Sequence, residues 1–553
     1  MHNQFMKIYF NTFTILALTT LLVNSSYSQV VLKQDATLQV NNYLNVQFGI
    51  QPEDKSDIHL FYQNRYFEAV WINPNGQLNN KALELINYAQ NHEYATQIID
   101  KQLDDLLFEY TNQNPSDLWK KSSLLGAIEI RLSQLYLNIA EINLHGIVQP
   151  EDVEGIAWNV SKRYINLPAY MEKNIYTGSI ETGLNSLLPK SDAYKKLKEY
   201  LSSYQFIEKH GGWPTLPDSI TEIEIGDTSD IVKILKERLI ITKDLDAIYY
   251  NGIVFDNHVE AGVKHFQKRH GLSTDGKIGK NTFQNLNISV SERIRQIELN
   301  LERYKWLPEE QNRGEKYIWV NIPTYKLKLY NRGELITEQN VVTGAKRTQT
   351  PCFDSYITNI VINPYWNVPY SIAKNEIAPK VTEDTQYLLD KNYEIINGWG
   401  TNQVIDSASA EGLDWTDSSV RQTYRFRQKP GPGNALGTLK FNIPNPWSIY
   451  LHDTPSKSTF LREKRAYSHG CVRVQYPDQL AILLFNGQEG LDEETLAEKI
   501  QSRKTQTIQL EDHVNVFIVY MTTDIDEDGN LMLFEDIYGR DAKIDKKLQE
   551  RLM

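Results

Sequence analysis

The segment "SHGCVRV" contains one of only two cysteines in the chain, Cys471. His469 and Arg473 lie two residues to either side of it, and His452 lies further upstream. A cysteine attacks a carbonyl as its thiolate, and because a free thiol has a pKa of about 8.5 it needs a neighbouring base. The oxyanion formed by the attack needs N–H donors, which the backbone around Gly470 could supply. Taken alone, the triplet fits a buried, inert cysteine equally well.

A mainly β domain is predicted to position these residues. From Tyr317 the apolar residues alternate with a period of two, and "YNRGE" reads as a hairpin turn between two strands. The pattern "SIYL" before His452 predicts a strand that ends at this histidine. A helical and polar stretch at about 371–427 interrupts the β pattern, and insertions of this length are often lids. We therefore predict a sandwich-like catalytic domain over 316–521 with a capping insertion.

Two helical regions precede this domain. Residues 31–211 show apolar positions three and four apart, as in "ALELINYAQN", which predicts a helical scaffold without chemistry of its own. Residues 223–287 contain two amphipathic helical patterns, a Gly-rich turn and a short final helix. The predicted fold class is therefore multidomain α+β.

The first 28 residues are typical of an export signal. Lys7 precedes the apolar run "TILALTTLLV", and small residues follow at a plausible cleavage site, Ser26-Tyr27-Ser28. The run is shorter than the roughly 20 residues of a spanning helix, and no other stretch approaches that length. We predict an exported protein without an integral membrane span; an uncleaved N-terminal anchor is the alternative.

Charge and cysteine content narrow the function classes. The chain has 58 basic and 70 acidic residues, for a net charge of −12. This balance argues against nucleic acid or an anionic membrane surface as a partner. Two cysteines are too few for a disulfide framework, and whether Cys352 pairs with Cys471 is left open. With no histidine within ten residues, Cys352 is interpreted as structural.

The tail at 522–553 matches a calcium-loop pattern. Asp524, Asp526, Asp528, Gly529 and Glu535 fulfil D-x-D-x-D-G-x5-E. Such a loop should lie between helices, whereas "VNVFIVYM" and "NLMLFEDI" on its two sides predict strands. An Asp-rich turn is favoured over a calcium site.

The region 223–287 resembles a small three-helix peptidoglycan-binding domain. That family ends in Phe-Gln, Gly-Leu, Asp-Gly-x-x-Gly and a Thr-initiated helix. The matching positions here are Phe266-Gln267, Gly271-Leu272, Asp275-Gly276-Lys277-Ile278-Gly279 and Thr282. The resemblance implies binding to peptidoglycan glycan; a structural module that binds nothing is the alternative.

The opening segment resembles the signature of the YkuD-type L,D-transpeptidase family. That signature is a His, a gap of about fifteen residues, Ser/Thr-His-Gly-Cys, an apolar residue, and Asn or Arg. His452, Ser468-His469-Gly470-Cys471, Val472 and Arg473 supply every part of it. The domain order is similar to the large Gram-negative branch, which has a helical scaffold, a peptidoglycan-binding module and a capped catalytic domain.

The resemblance implies a role for each matching residue. Cys471 would be the nucleophile and His452 its base, with the backbone carbonyl of Asp453 fixing the imidazole. His469 and Gly470, together with Cys471, would line the oxyanion hole through their amides. Four further residues would border the substrate groove: Tyr450, Trp366, Arg473 and Ser468. For Arg473, a structural ion pair is the alternative.

The implied reaction is acyl transfer in the periplasm without a metal or cofactor. Cys471 would attack the L-centre carbonyl of meso-diaminopimelate in a tetrapeptide stem, and a diaminopimelate amine of a neighbouring stem would resolve the thioester. Resolution by water would make the enzyme an L,D-carboxypeptidase. A non-catalytic wall-binding protein is a third reading, and the oligomeric state stays open.

Overall fold

The computed structural model describes residues 56–552, except for 74–75, 113–117, 218–221, 399 and 406–411. The predicted signal peptide, 1–28, lies outside these residues. Within them, none of the helices combines the length and apolar character needed to cross a bilayer.

The first described region is helical and is organised around one long central helix. Its helices are α1 Asp57–Gln63, α2 Asn80–Gln90, α3 Ala95–Ile98, α4 Lys101–Asn112, α5 Leu118–His145, α6 Leu167–Thr177, α7 Ile180–Ser186 and α8 Asp192–Lys209. Leu125, Ile128, Leu132 and Ile139 are fully buried on α5, at the three- and four-residue spacing of a helix face. Helices α1 to α4, α6 and α7 pack against α5. The scaffold is therefore helical, as predicted, apart from one short strand described below.

The small helical module has its own core. It consists of α9 Asp230–Ile241, α10 Asn257–Arg269 and α11 Lys280–Leu286, packed through residues such as Leu235, Val263 and Phe266. Gln267 Nε2 donates to Asp275 Oδ1 at 2.8 Å and to Thr282 Oγ1 at 3.1 Å, and its Oε1 accepts from the Gly276 N–H at 2.9 Å. Several residues of the sequence motif thus hold the Gly-rich turn against α10, which gives the motif a purely structural explanation.

The β-rich region is built on one sheet that closes on itself. Its strands are β1 Trp158–Asn159, β2 Lys316–Asn321, β3 Lys326–Asn331, β4 Glu334–Gly344, β5 Cys352–Ile362, β9 Leu439–Asn442, β10 Leu451–His452, β11 Ala466–Ser468, β12 Val472–Val474 and β13 Gln506–Val519. Strand pairing runs from β5 through β13, β2, β3, β4, β12, β10 and β9 and returns to β5. The prediction of a mainly β domain is confirmed. What was predicted as the layers of a sandwich is one closed ring of strands around an apolar core. Strand β1 comes from the scaffold and pairs with β5 in parallel.

The insertion forms a small sheet of its own. It contains β6 Trp366–Asn367, β7 Tyr393–Asn397 and β8 Tyr424–Gln428, with β8 in the centre. Its helices are α13 Tyr370–Ile372, a π-helical turn at Ala373–Ile377, α14 Ala378–Glu383, α15 Gln386–Asp390 and α16 Ser418–Thr423. These elements share a separate apolar core.

The remaining elements of the described residues are four helices, two short strands and four 3-10 turns. They are α12 Val290–Lys305, α17 Pro477–Phe485, α18 Glu493–Gln501, β14 Thr523–Ile525, β15 Leu531–Leu533 and α19 Arg540–Leu552, with short 3-10 turns at Pro150–Asp152, Ala247–Tyr249, Glu310–Asn312 and Lys457–Leu461. Helix α19 packs on α12, so the segment predicted as a tail is an integral part of the fold.

The Asp-rich loop of this segment is a β-hairpin turn. It connects β14 to β15, and the Gly529 N–H donates to the Asp526 carbonyl at 2.9 Å. Asp524 pairs with Lys328 at 3.5 Å. The described residues contain no cluster of three or more His, Cys, Asp or Glu side chains suited to a metal. The geometry agrees with the turn interpretation.

Candidate active site

Three neighbouring strands bring the candidate residues to one face of the sheet. His452 on β10 is in register with Arg473 on β12 and with Lys440 on β9. Successive side chains of a strand alternate between faces, and the neighbours of this row are fully buried in the core. Those neighbours are Phe441, Leu451 and Val472. Two residues before His452 and Arg473, Tyr450 and Cys471 therefore lie on the same outer face.

The Cys471 thiol is held in a polar but poorly hydrated corner. Its Sγ lies 3.7 Å from the carbonyl oxygen of Ser448, to which the thiol donates. Burial raises the pKa of Cys471, and the N–H and hydroxyl of Tyr450 offset part of this rise, as do the charges of Lys440 and Arg473. The resting thiol is therefore protonated. Cys352, the second cysteine, is buried in β5, and both thiols are free.

The His452 imidazole is neutral and has a defined tautomer. Nδ1 lies 2.5 Å from the backbone carbonyl of Asp453, and since a carbonyl only accepts, Nδ1 carries the proton. Nε2 thus keeps its lone pair. Burial, followed by the charge of Arg473, lowers the pKa of His452 to about 3. The described residues show no hydrogen bond between this imidazole and Cys471, as is common before substrate binds.

The Asp453 side chain anchors the loop that leads into β9. Its Oδ2 accepts from the N–H and hydroxyl of Thr438 at 2.9 and 3.0 Å, and its Oδ1 accepts from Lys457 Nζ at 2.5 Å. Gly437, with a φ of +61°, lies directly against this carboxylate, where a Cβ would overlap it. Asp453 therefore orients the imidazole through its carbonyl and fixes β9 through its carboxylate.

Two motif residues, Ser468 and Gly470, are hydrogen-bonded to each other next to Cys471. Ser468 is only 3% exposed; its Oγ accepts from the Gly470 N–H at 3.1 Å and donates to the Cys471 carbonyl at 2.5 Å. The hydroxyl is turned inward and braces the loop that carries Cys471, and its predicted contact with substrate stays a prediction. The Gly470 amide is engaged in this hydrogen bond, and its predicted role in an oxyanion hole stays a prediction. Gly470 has a φ of +116°, which allows the turn.

The amide of Cys471 remains as the candidate oxyanion donor. Among the described residues it has no hydrogen-bond acceptor, unlike the Val472 N–H, which donates to the Tyr450 carbonyl at 3.2 Å. An unpaired N–H next to a nucleophile is the arrangement that stabilises a developing oxyanion.

The insertion contacts the site at two points. His469 Nε2 lies 2.5 Å from Oε1 of Glu376, which belongs to the π-helical turn. Trp366 at the start of β6 shares a side-chain hydrogen bond with the Tyr450 hydroxyl, and that hydroxyl also bonds to Cys471. The side chain of His469 therefore faces the insertion, and Trp366 connects the insertion to the thiol.

Two half-buried cations on this face lack a counter-charge. Arg473 forms no ion pair among the described residues, and its Nε is buried without a hydrogen-bond partner. Lys440 also forms no ion pair there, and its Nζ lies 4.2 Å from the centre of the Tyr450 ring. Sequence reasoning missed Lys440. The signal that could have found it is its position in "GTLKF", a strand pattern on which it alone is charged.

Comparison with known proteins places these elements in context. A family model described as the L,D-transpeptidase catalytic domain matches residues 315–488, and models for a scaffold domain and a putative peptidoglycan binding domain match 56–201 and 229–286. A putative L,D-transpeptidase of Haemophilus influenzae is 36% identical over 278 residues, covering 49% of this chain and 54% of that protein. The chain thus matches about half the length of this relative.

Solved structures also show similarity. An L,D-transpeptidase from Stackebrandtia nassauensis shares 16% identity, with 55% of this chain and 96% of that chain covered and a TM-score of 0.22. One from Xylanimonas cellulosilytica shares 15% identity, with 55% and 100% covered and a TM-score of 0.17. TM-scores this low do not by themselves establish a shared fold.

Proposed function

The chain carries an L,D-transpeptidase catalytic domain together with a scaffold domain and a peptidoglycan-binding domain, and on this premise we propose that it cross-links peptidoglycan through a thioester on Cys471. The observation that carries the proposal is the placement of Cys471, His452, Tyr450 and Arg473 on one face of β10 and β12. The substrates are peptidoglycan stem peptides, so the protein acts at the cell wall, in the periplasm.

The first half-reaction forms the thioester. His452 Nε2 takes the thiol proton while Sγ bonds to the L-centre carbonyl carbon of meso-diaminopimelate, and the carbonyl oxygen takes the negative charge. The Cys471 N–H stabilises this oxyanion. Collapse of the intermediate breaks the bond to D-alanine, whose amine receives the proton from His452.

The second half-reaction restores the thiol. A diaminopimelate side-chain amine from a neighbouring stem attacks the thioester carbon and loses a proton to His452. The C–S bond breaks, and Cys471 recovers the proton. One amide is broken and one is formed, so the exchange needs no external energy source.

The resting charge state shapes this chemistry. Thiol and imidazole are both neutral, and an imidazolium between Lys440 and Arg473 is disfavoured. The proton therefore stays on His452 only briefly between sulfur and leaving amine. Arg473, unpaired among the described residues, suits a carboxylate of the stem peptide through bidentate pairing.

Two other activities use the same residues. Water in place of the acceptor amine would give an L,D-carboxypeptidase, and loss of the chemistry would leave a wall-binding protein. The buried base and the cations unpaired among the described residues favour an enzyme, because binding alone does not require them.

Incubation with disaccharide-tetrapeptides and mass spectrometry of the products tests the proposal. We expect dimers linked through two diaminopimelates, and their loss in Cys471→Ala. Cys352→Ala, which removes the other thiol, is the matched control and should retain activity. Tripeptides alone would indicate the carboxypeptidase, and full activity of Cys471→Ala would refute the mechanism.

A further inference from the structure

We propose that Lys440 is a further functional residue of this site, a cation that stabilises the Cys471 thiolate as it forms. Its place in the reaction rests on the proposed function. Its effect on the thiol is independent of peptidoglycan and can be measured separately.

Strand geometry places Lys440 beside the reacting groups. It is the register partner of His452 on the adjacent strand, and its neighbours Leu439 and Phe441 are both fully buried in the core. Lys440 must therefore project to the outer face. There its Nζ lies 4.2 Å from the ring centre of Tyr450, whose hydroxyl bonds to the Cys471 thiol.

The Lys440 ammonium is half-buried and has no anionic partner among the described residues. Burial lowers the pKa of Lys440, and the only other influence on it is Cys471, which raises it. Elsewhere in the fold a buried lysine is neutralised: Lys305 Nζ lies 2.7 Å from Glu302. A half-buried cation without a counter-charge is costly to maintain. The negative charge that would compensate Lys440 appears on the Cys471 sulfur during the reaction.

The other charged and titratable groups facing the thiol cannot replace this cation. Tyr450 and His452 are neutral at rest, and Arg473 lies on the far side of His452 from Lys440. Two carboxylates near the site are already paired, Asp453 with Lys457 and Glu376 with His469. Lys440 and Arg473 therefore flank the site from opposite strands and favour the thiolate over the imidazolium.

Alkylation of Cys471 by iodoacetamide, followed by peptide mass mapping across a range of pH, tests the proposal on the mature chain. In Lys440→Met the thiolate should form at higher pH, which slows alkylation near neutral pH roughly threefold to tenfold. Lys440→Arg should restore most of the rate. Lys504→Met, which changes an exposed lysine, is the matched control and should behave as wild type.

Turnover of disaccharide-tetrapeptides gives a second readout. Lys440→Met should lower kcat by at least the same factor and leave KM within about twofold. An unchanged alkylation profile in Lys440→Met would overturn the proposal, as would a loss confined to KM. If Lys440→Met does not fold, Lys440→Gln is read by the same titration. A shifted titration in a protein that forms no cross-links or tripeptides would refute the proposed function and leave the role of Lys440 intact.

Discussion

Replacing Ser468 with alanine should loosen the nucleophile loop rather than weaken substrate binding. The substitution removes the acceptor of the Gly470 N–H and the donor to the Cys471 carbonyl. An unsatisfied buried polar group costs about 1–3 kcal/mol. Because the buried Gly470 N–H loses its acceptor, we expect a local cost of about 2 kcal/mol.

This cost can be measured by amide hydrogen exchange. The Val472 N–H, bonded to the Tyr450 carbonyl, lies at the end of this loop. A loss of about 2 kcal/mol should speed its exchange roughly 30-fold, since 1.4 kcal/mol corresponds to a factor of ten. Ser468→Thr keeps the hydroxyl and should remain close to wild type.

Ser468→Ala and Ser468→Thr distinguish a structural role of this side chain from a contact with substrate. If Ser468→Ala leaves exchange unchanged but raises KM, the side chain contacts substrate and the structural role argued above is wrong. Loss of kcat together with faster exchange is the expected pattern.

Three further outcomes are expected. Gly437→Ala places a Cβ against the Asp453 carboxylate, so it should lower the free energy of unfolding by about 2–4 kcal/mol and reduce the soluble yield. Gly178→Ala, which has open space around it, is the control and should not. Equal yields of the two variants would contradict this. Because burial raises the pKa of Cys471, alkylation should increase with pH to a midpoint above the ordinary value of about 8.5, and a plateau below pH 7 would contradict a neutral resting thiol. Burial raises the pKa of Glu129 from 4.5 to about 7, so the folded scaffold binds a proton that the unfolded chain releases, and its stability falls as pH rises through that interval. Glu129→Gln should make the stability of the scaffold helices, measured by hydrogen exchange, less dependent on pH. An unchanged pH dependence would exclude this carboxyl as its cause.

Sequence motifs predicted the residues of the candidate site, but the directions of their side chains could not be predicted from them. His452 and Cys471 were identified through the resemblance of their spacing to a family signature, because the His-Gly-Cys triplet alone fits an inert cysteine equally well. The inward direction of the Ser468 hydroxyl was not predicted, because its rotamer depends on where the Gly470 turn points its N–H. Lys440 was missed because its nearness to His452 arises from pairing between β9 and β10, which no local pattern encodes.

The closure of the sheet could not be predicted from local sequence patterns either. The pairing of β5 with β9 joins segments far apart in the chain, and the contribution of β1 comes from the scaffold. The helical module could be recognised because Gln267 and Asp275 act locally. The residues of its motif stabilise the Gly-rich turn, so glycan binding by this module remains a proposal.

The closed strand ring has a practical consequence for anyone excising the catalytic domain. A fragment ending at residue 488, where the family match ends, would lack β13, which lies between β5 and β2. The cut would open the ring and leave two long rows of unpaired backbone groups, templates for aggregation between molecules. A soluble fragment should therefore extend through Val519, and retaining Trp158–Asn159 would protect the remaining edge of β5.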